Sequence, residues 1–156
     1  MKRPKPPDRG LDKLDMAILK RLADNSRITM KELANEIGLS APSTTERVRR
    51  LEEADVIQRY TVCVNPIALG LQLGVYIRVR PMPGELTRVA ALLASKSEIV
   101  QCDRVTGDDC FIAKAYVASV DDLEVLIDGL LPYATTNTSV IQSSPVESRA
   151  PSRGRG

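Results

Sequence analysis

Thr29-Met30-Lys31-Glu32-Leu33-Ala34-Asn35-Glu36-Ile37-Gly38-Leu39-Ser40-Ala41-Pro42-Ser43-Thr44-Thr45-Glu46-Arg47-Val48-Arg49-Arg50-Leu51 holds two helix starts and one helix stop in a single short stretch. Thr29 followed by Glu32 is a capping box: the hydroxyl receives the N–H of the third helical residue, and the carboxylate reaches back to the N–H of the cap. Leu33, Ala34 and Ile37 then recur on one face, as a helix with one buried stripe requires. Gly38 stops that helix, because glycine enters the left-handed conformation without a Cβ clash. Only Leu39 separates it from Ser40, the next cap. Pro42 falls in the first turn of the following helix, where a missing N–H does no harm.

Two capped helices joined by Gly38-Leu39-Ser40 predict a helix-turn-helix, in which one helix braces the other and the second enters the major groove of duplex DNA. In the second helix, Thr44, Val48 and Leu51 form the inner line. Ser43, Glu46, Arg49, Arg50 and Glu53 form the opposite face, with Thr45 and Arg47 at its edges. Small hydroxyls near the helix start suit base edges, and arginine suits guanine or phosphate. Ser43, Thr45, Arg47, Arg49 and Arg50 are therefore the expected DNA contacts. The plainer reading is a structural helical hairpin whose arginines pair with Glu46, Glu52 and Glu53 along a solvated face.

Working outward, Leu14, Ile18 and Leu22 predict a preceding helix over Asp12–Ala23, with Asp12 as cap and Asp15 at its third position. Downstream, Val56-Ile57 and Tyr60–Val64 read as strand and suggest a wing. Asn65-Pro66 breaks that pattern and opens a linker. A different rhythm follows: strand over Leu73–Arg80, helix through Leu86, Val89, Ala90 and Leu93, and strand over Ile99–Thr106. A Gly107-Asp108-Asp109 turn leads to strand over Cys110–Val117, then a helix from Ser119 and a final strand over Thr135–Ser143. The order β-α-β-β-α-β predicts a ferredoxin-like module. The expected class is α+β: a basic arm at 1–10, a winged helix-turn-helix at 11–64, a linker at 65–72, the ferredoxin-like domain at 73–145 and a basic tail at 146–156. Both ends read as disordered, being rich in proline, glycine or arginine and poor in apolar residues.

The turn Thr106-Gly107-Asp108-Asp109 is on its own an ordinary hairpin signal. Joined with the hydroxyls of Thr135, Thr136, Thr138 and Ser139 it suggests a site for a small zwitterion, with Asp108 or Asp109 taking an ammonium group.

Composition narrows the function classes. The chain has 156 residues and no histidine, which removes the commonest general base and metal ligand. It has no phosphate-binding loop, dinucleotide fingerprint or nucleophile elbow, so no enzyme, metal centre or cofactor is expected. Cys63, Cys102 and Cys110 are odd in number and lack metal or redox spacing, which points to a reducing cytoplasm, and Cys102 and Cys110 read as buried, inert thiols. No secretory signal or membrane span is apparent. Residues 1–60 hold 13 basic and 10 acidic side chains, and residues 61–145 hold 6 and 9. A basic front and an acidic body suit a nucleic-acid partner for the front.

These residues resemble the leucine-responsive regulatory protein/AsnC family, the feast/famine regulators. The resemblance runs from about Leu11 to about Val146. Its carriers are Leu11-Asp12-x-x-Asp15-x-x-Ile18-Leu19, Glu32-Leu33-Ala34, Ile37-Gly38-Leu39-Ser40, Glu46-Arg47-Val48-x-x-Leu51-Glu52, Val56-Ile57-x-x-Tyr60, Val105-Thr106-Gly107-Asp108 and Thr136-x-Thr138-Ser139. The resemblance implies transcription regulation on double-stranded DNA in the cytoplasm, at the nucleoid. It implies dimers formed through the sheets, assembly commonly to octamers, and an amino acid or related metabolite bound between dimers. On that basis Val105, Thr106, Gly107, Asp108, Asp109, Thr136, Thr138 and Ser139 become effector-site candidates. One departure stands out: many members carry a second aspartate where this chain has Cys110. Two other readings stay open, a DNA-organising protein without effector response and an amino-acid-sensing regulatory subunit.

Overall fold

The computed structural model describes residues 10–151. The expected basic arm thus lies outside the described residues except for Gly10, and the tail is described only through Pro151. The chain forms two compact units, one through Val62 and one over Cys63–Glu147.

The first unit is three helices: α1 Lys13–Asp24, α2 Met30–Ile37 and α3 Ala41–Glu53. Each begins on the residue that the sequence nominates. Asp12 and Thr29 both close reciprocal capping boxes, with Asp15 and Glu32, and Ser40 accepts the N–H of Ser43. Gly38 ends α2 at φ 71°, the left-handed region that disfavours any side chain. Ile18, Leu22, Leu33, Val48 and Leu51 close the core, with Leu11, Ile28, Met30, Ile37, Val56 and Ile57 packed around it.

The strand pattern at 56–64 is not realised as strand. The N–H groups of Val56 and Ile57 both donate to the carbonyl of Leu51, at 2.9 and 3.1 Å, so the chain turns back on α3 and buries these side chains against the helices. Asp55, at φ 56°, makes that reversal. Val62 and Val64 are exposed, and no described strand lies alongside to pair with them. An alternating sequence becomes a ladder only where a partner backbone is present.

The second unit opens with a 3-10 turn, Pro66–Leu69, where the sequence suggests plain linker. It continues as β1 Leu73–Pro81, α4 Leu86–Ser95, β2 Ile99–Arg104, β3 Phe111–Val117, α5 Val120–Asp128 and β4 Ala134–Val140. The sheet order is β2-β3-β1-β4, with every pairing antiparallel. Val75, Ile77 and Val79 of β1 and Phe111, Ala113, Ala115 and Val117 of β3 point to one face. Val89 and Leu93 of α4 cover them, together with Leu126 of α5 and Leu130 just beyond it. This is one aliphatic core between a sheet and two helices. β4 stops near Val140 because its partner β1 begins at Leu73, and Val140 already stands opposite Val75.

Candidate nucleic-acid interface and effector turn

In α3, Thr44 is fully buried and its hydroxyl donates to the Ser40 carbonyl at 3.0 Å, so a polar core position is satisfied inside its own turn. Val48 and Leu51 complete the inward stripe. Ser43, Thr45, Glu46, Arg49 and Arg50 are exposed on the remaining surface. The Ser43 hydroxyl accepts from that of Ser40 at 2.9 Å and retains its own hydrogen for a partner. The Thr45 hydroxyl donates to the Ala41 carbonyl at 2.9 Å, leaving its oxygen lone pair and methyl group outward. A methyl beside an acceptor is suited to a thymine methyl and an amino edge.

The three arginines are not equivalent. Arg49 grips Glu46 through Nε at 3.0 Å and Nη2 at 2.6 Å, and also contacts Glu53. The pairs hold the Glu46 carboxyl below its usual range and the Arg49 guanidinium above its own. All three side chains are exposed, and exposed pairs contribute little and are readily exchanged. A phosphate can therefore displace these glutamates. Arg50 has one distant neighbour, Asp15 at 3.9 Å.

Arg47 takes a different place from the one its sequence position suggests. Its side chain is only 22% exposed, and Nη1 donates to Asp12 Oδ2 at 2.7 Å and Asp15 Oδ1 at 2.8 Å. It faces the first turn of α1 and fastens α3 to it. The capping box explains why two carboxylates await it. Asp12 Oδ1 receives the N–H of Asp15, and Asp15 Oδ2 receives the N–H of Asp12. Each aspartate thus has one oxygen left, and both of these meet Arg47. The N–H of Asp15 and then the Arg47 guanidinium hold the Asp12 carboxyl below its ordinary range, while the two aspartates hold Arg47 above its own. Asp12 and Asp15, which the sequence marks only as helix caps, thus also hold Arg47.

Behind α3, the Tyr60 hydroxyl donates to Glu52 at 2.7 Å. Burial and then that carboxylate push the phenol up to about 12.

In the second unit, the Val105 N–H donates to the Cys110 carbonyl at 2.9 Å and closes the loop between β2 and β3. Within it, Thr106 and Asp108 are exposed, and Gly107 adopts φ 109°, a conformation open to glycine. Asp108 and Asp109 stand beside two arginines that the sequence reading misses. Arg80 Nε donates to the Asp108 carbonyl at 2.9 Å. Asp109 lies 3.9 Å from both Arg78 and Arg80.

The β4 hydroxyls do not form one group. Strand alternation places Thr136 and Thr138 on the helix-covered side, with Val75, Ile77 and Val79, and turns Thr135, Asn137 and Ser139 to the outer face. β1 runs between β3 and β4, so roughly 10 Å separates those two strands, twice the spacing of a neighbouring pair. Arg78 spans the gap: it neighbours Asp109 on one side, and its Nη2 donates to Asn137 at 2.7 Å on the other. Asn137 is thus the outer-face polar residue on β4 that a list of hydroxyls overlooks.

All three cysteines are free. Cys63 is exposed and Cys110 is partly buried, and Cys102 is exposed, contrary to the expectation of a buried thiol, because it lies on the edge strand β2. Its partial burial, with Asp103 beside it, pushes the thiol up and favours the unreactive protonated form. Among the described residues, no group of three or more Cys, Asp or Glu could hold a metal ion, and no helix is long and apolar enough to cross a membrane.

Comparison with known proteins agrees with this two-part construction. Residues 11–58 match the winged helix-turn-helix DNA-binding family, and residues 74–151 match the Lrp/AsnC ligand binding domain. The HTH-type transcriptional regulator LrpC of Bacillus subtilis is 35% identical over 133 residues, 85% of this chain and 92% of that protein. The solved structure of B. subtilis LrpC superposes with a TM-score of 0.86 at 34% identity, covering 90% of this chain and all of that one. A feast or famine regulatory protein from Mycobacterium tuberculosis, solved in complex with L-methionine, gives 0.84 at 30% identity, covering 90% and 98%. With both domains matched in order, the chain belongs to the Lrp/AsnC family of DNA-binding transcription regulators.

Proposed function

We propose that this protein is a homo-oligomeric regulator that reads duplex DNA with the exposed side of α3 and is modulated by an amino acid bound near the 105–109 turn. The observation that carries the DNA part is the division of α3 into two sides. Thr44, Val48 and Leu51 are buried, while Ser43, Thr45, Arg49 and Arg50 are exposed on the other side. In this reading Ser43 and Thr45 approach base edges, Arg50 and Arg49 meet phosphate or guanine, and Arg47 orients the helix. Such a protein works on the chromosome, in the cytoplasm.

Self-association is assigned to the outer face of the sheet at the end that carries Tyr76 and Tyr116, away from the 105–109 turn. The helices leave that face uncovered, and it displays Tyr76. Lys114 Nζ lies 5.8 Å from the Tyr76 ring centre and 5.3 Å from that of Tyr116. A sheet face bearing aromatic and aliphatic side chains is stabilised by a second copy laid against it. Dimers of this kind place two α3 helices on one operator, and further assembly towards an octamer brings effector turns of different dimers together. The methionine complex of the M. tuberculosis relative supports an amino acid as the class of effector.

The test is selection of bound genomic DNA by the full-length protein, with and without a panel of amino acids, followed by gel shifts at several salt concentrations. The proposal predicts an enriched sequence with half-sites spaced by helical turns, affinity that falls steeply with salt, and an amino acid that changes the bound set. Retention of no duplex fragment would remove the DNA reading. An unchanged set across the panel would remove the effector reading.

A further inference from the structure

Arg78 and Arg80 are two residues apart on β1, so both project from the outer face of the sheet beside the effector turn. Their engagement is partial. Arg80 uses Nε for the Asp108 carbonyl, and its Nη2 stands 3.8 Å from the Asp108 carboxylate and 3.9 Å from that of Asp109. Arg78 uses Nη2 for Asn137, and its Nε stands 3.9 Å from Asp109. A guanidinium carries five N–H donors, and a charge-assisted hydrogen bond is about 2.7–2.9 Å long. The carboxylates are thus near enough to orient the arginines and too far to saturate them. Both arginine side chains are about half exposed, at 49% and 55%, with donors open to solvent.

The two aspartates differ as well. The Asp108 side chain is 94% exposed, where water screens it, and that of Asp109 is 34% exposed and lies between the two guanidinium groups. The ordered part of the cluster is therefore two cations around one anion. A neutral amino acid brings one carboxylate and one ammonium, and leaves one guanidinium without a counter-charge. An acidic amino acid brings a second carboxylate and matches the cluster group for group.

Resting on the effector reading above, we infer that the ligand of this turn is an acidic α-amino acid, with its two carboxylates on Arg78 and Arg80 and its ammonium on Asp109. Two arginine forks at alternate positions of one strand lie roughly 7 Å apart at their Cα atoms, within reach of both ends of aspartate or glutamate. Planar bidentate recognition of carboxylate is the interaction to which arginine is best shaped.

Calorimetric titration of the full-length protein with L-aspartate, L-glutamate, L-leucine and L-methionine, at matched ionic strength, tests the assignment. One acidic ligand is expected to bind at least ~tenfold more tightly than either neutral one. Arg78→Met and Arg80→Met should each weaken the acidic ligand by ~tenfold or more. Circular dichroism and sedimentation check the fold of these variants. Arg80→Lys, which keeps the charge and loses the fork, should fall between wild type and Arg80→Met. If leucine or methionine binds as tightly as the acidic pair, the acidic assignment is overturned and the effector site stands. If an acidic ligand binds and both methionine variants match wild type, the arginine site is overturned. If none of the four binds while another amino acid of the panel changes the bound DNA set, the acidic assignment is overturned and the effector reading stands.

Discussion

Nη1 of Arg47 lies 2.8 Å from Oδ1 of Asp15, joining α3, the helix proposed to read DNA, to the first turn of α1. Asp15 is buried, at 8% exposure, and the contact spans 32 positions of sequence. The same guanidinium nitrogen reaches Asp12, so one arginine ties down both members of a capping box. α1 is thereby capped and docked by the same pair of side chains.

Arg47→Ala is expected to destabilise the first unit by roughly 1–3 kcal/mol, because it leaves the buried Asp15 carboxylate without its strongest partner. It should weaken binding to every DNA sequence to a similar degree without flattening the dependence on salt, since an arginine turned to α1 releases no counterions. Arg50→Ala should do the reverse, with little change in melting temperature and a salt slope shallower by about one. Thermal melts and gel shifts at several salt concentrations separate the two. A flattened slope for Arg47→Ala would show that Arg47 meets phosphate instead.

What could be read from sequence follows the range of each interaction. The caps Asp12, Thr29, Ser40 and Ser119 and the stop at Gly38 depend on three or four consecutive residues, and the structure realises them all. Arg47 with Asp15 and Arg78 with Asn137 join positions 32 and 59 apart, and no local pattern marks them. The strand expected at 60–64 fails for the related reason that no described strand lies alongside to pair with it. The division of Thr136 and Thr138 from Ser139 was different: period-two alternation alone separates them.

In the proposed DNA complex, phosphate takes the place of Glu46 and Glu53 beside Arg49. Glu46→Gln and Glu53→Gln together remove both charges that hold Arg49 and two repulsive charges near the duplex. Affinity for non-specific DNA should rise by several-fold at low salt, and the gain should shrink as salt increases. Fluorescence anisotropy with an unrelated duplex measures it. No gain would mean that Arg49 stays clear of DNA.

Stability should depend on acid in a defined window. The Asp12 and Glu32 carboxyls are both held below their ordinary values, chiefly by the backbone N–H groups of Asp15 and Thr29. A carboxyl depressed in the folded state contributes stability that is fully present above its unfolded value and lost as pH falls through its folded one. The first unit should therefore hold its melting temperature between pH 6 and 7, where a chain without histidine has little to titrate, and lose it below about pH 4. Asp12→Asn and Glu32→Gln should each flatten that acid limb. An unaltered limb in both variants would place the acid-sensitive groups elsewhere.

Gly74 stands opposite Tyr116 across the β1–β3 ladder. A Cβ at Gly74 would lie 2.9 Å from Tyr116 Cε1 and 3.4 Å from Ile141 Cδ1, so glycine is what lets this ring lie flat over the strand. The ring in turn flanks Lys114, across from Tyr76, on the face assigned to the second copy. Gly74→Val should push the ring outward without disturbing the core, because the core side chains Val75, Ile77 and Val79 face the other way. The variant is expected to keep its circular dichroism and to dissociate towards monomer in sedimentation at micromolar concentration, with operator affinity falling alongside as paired half-site binding is lost. A Gly74→Val protein that remains fully assembled would move the self-association surface away from this end of the sheet.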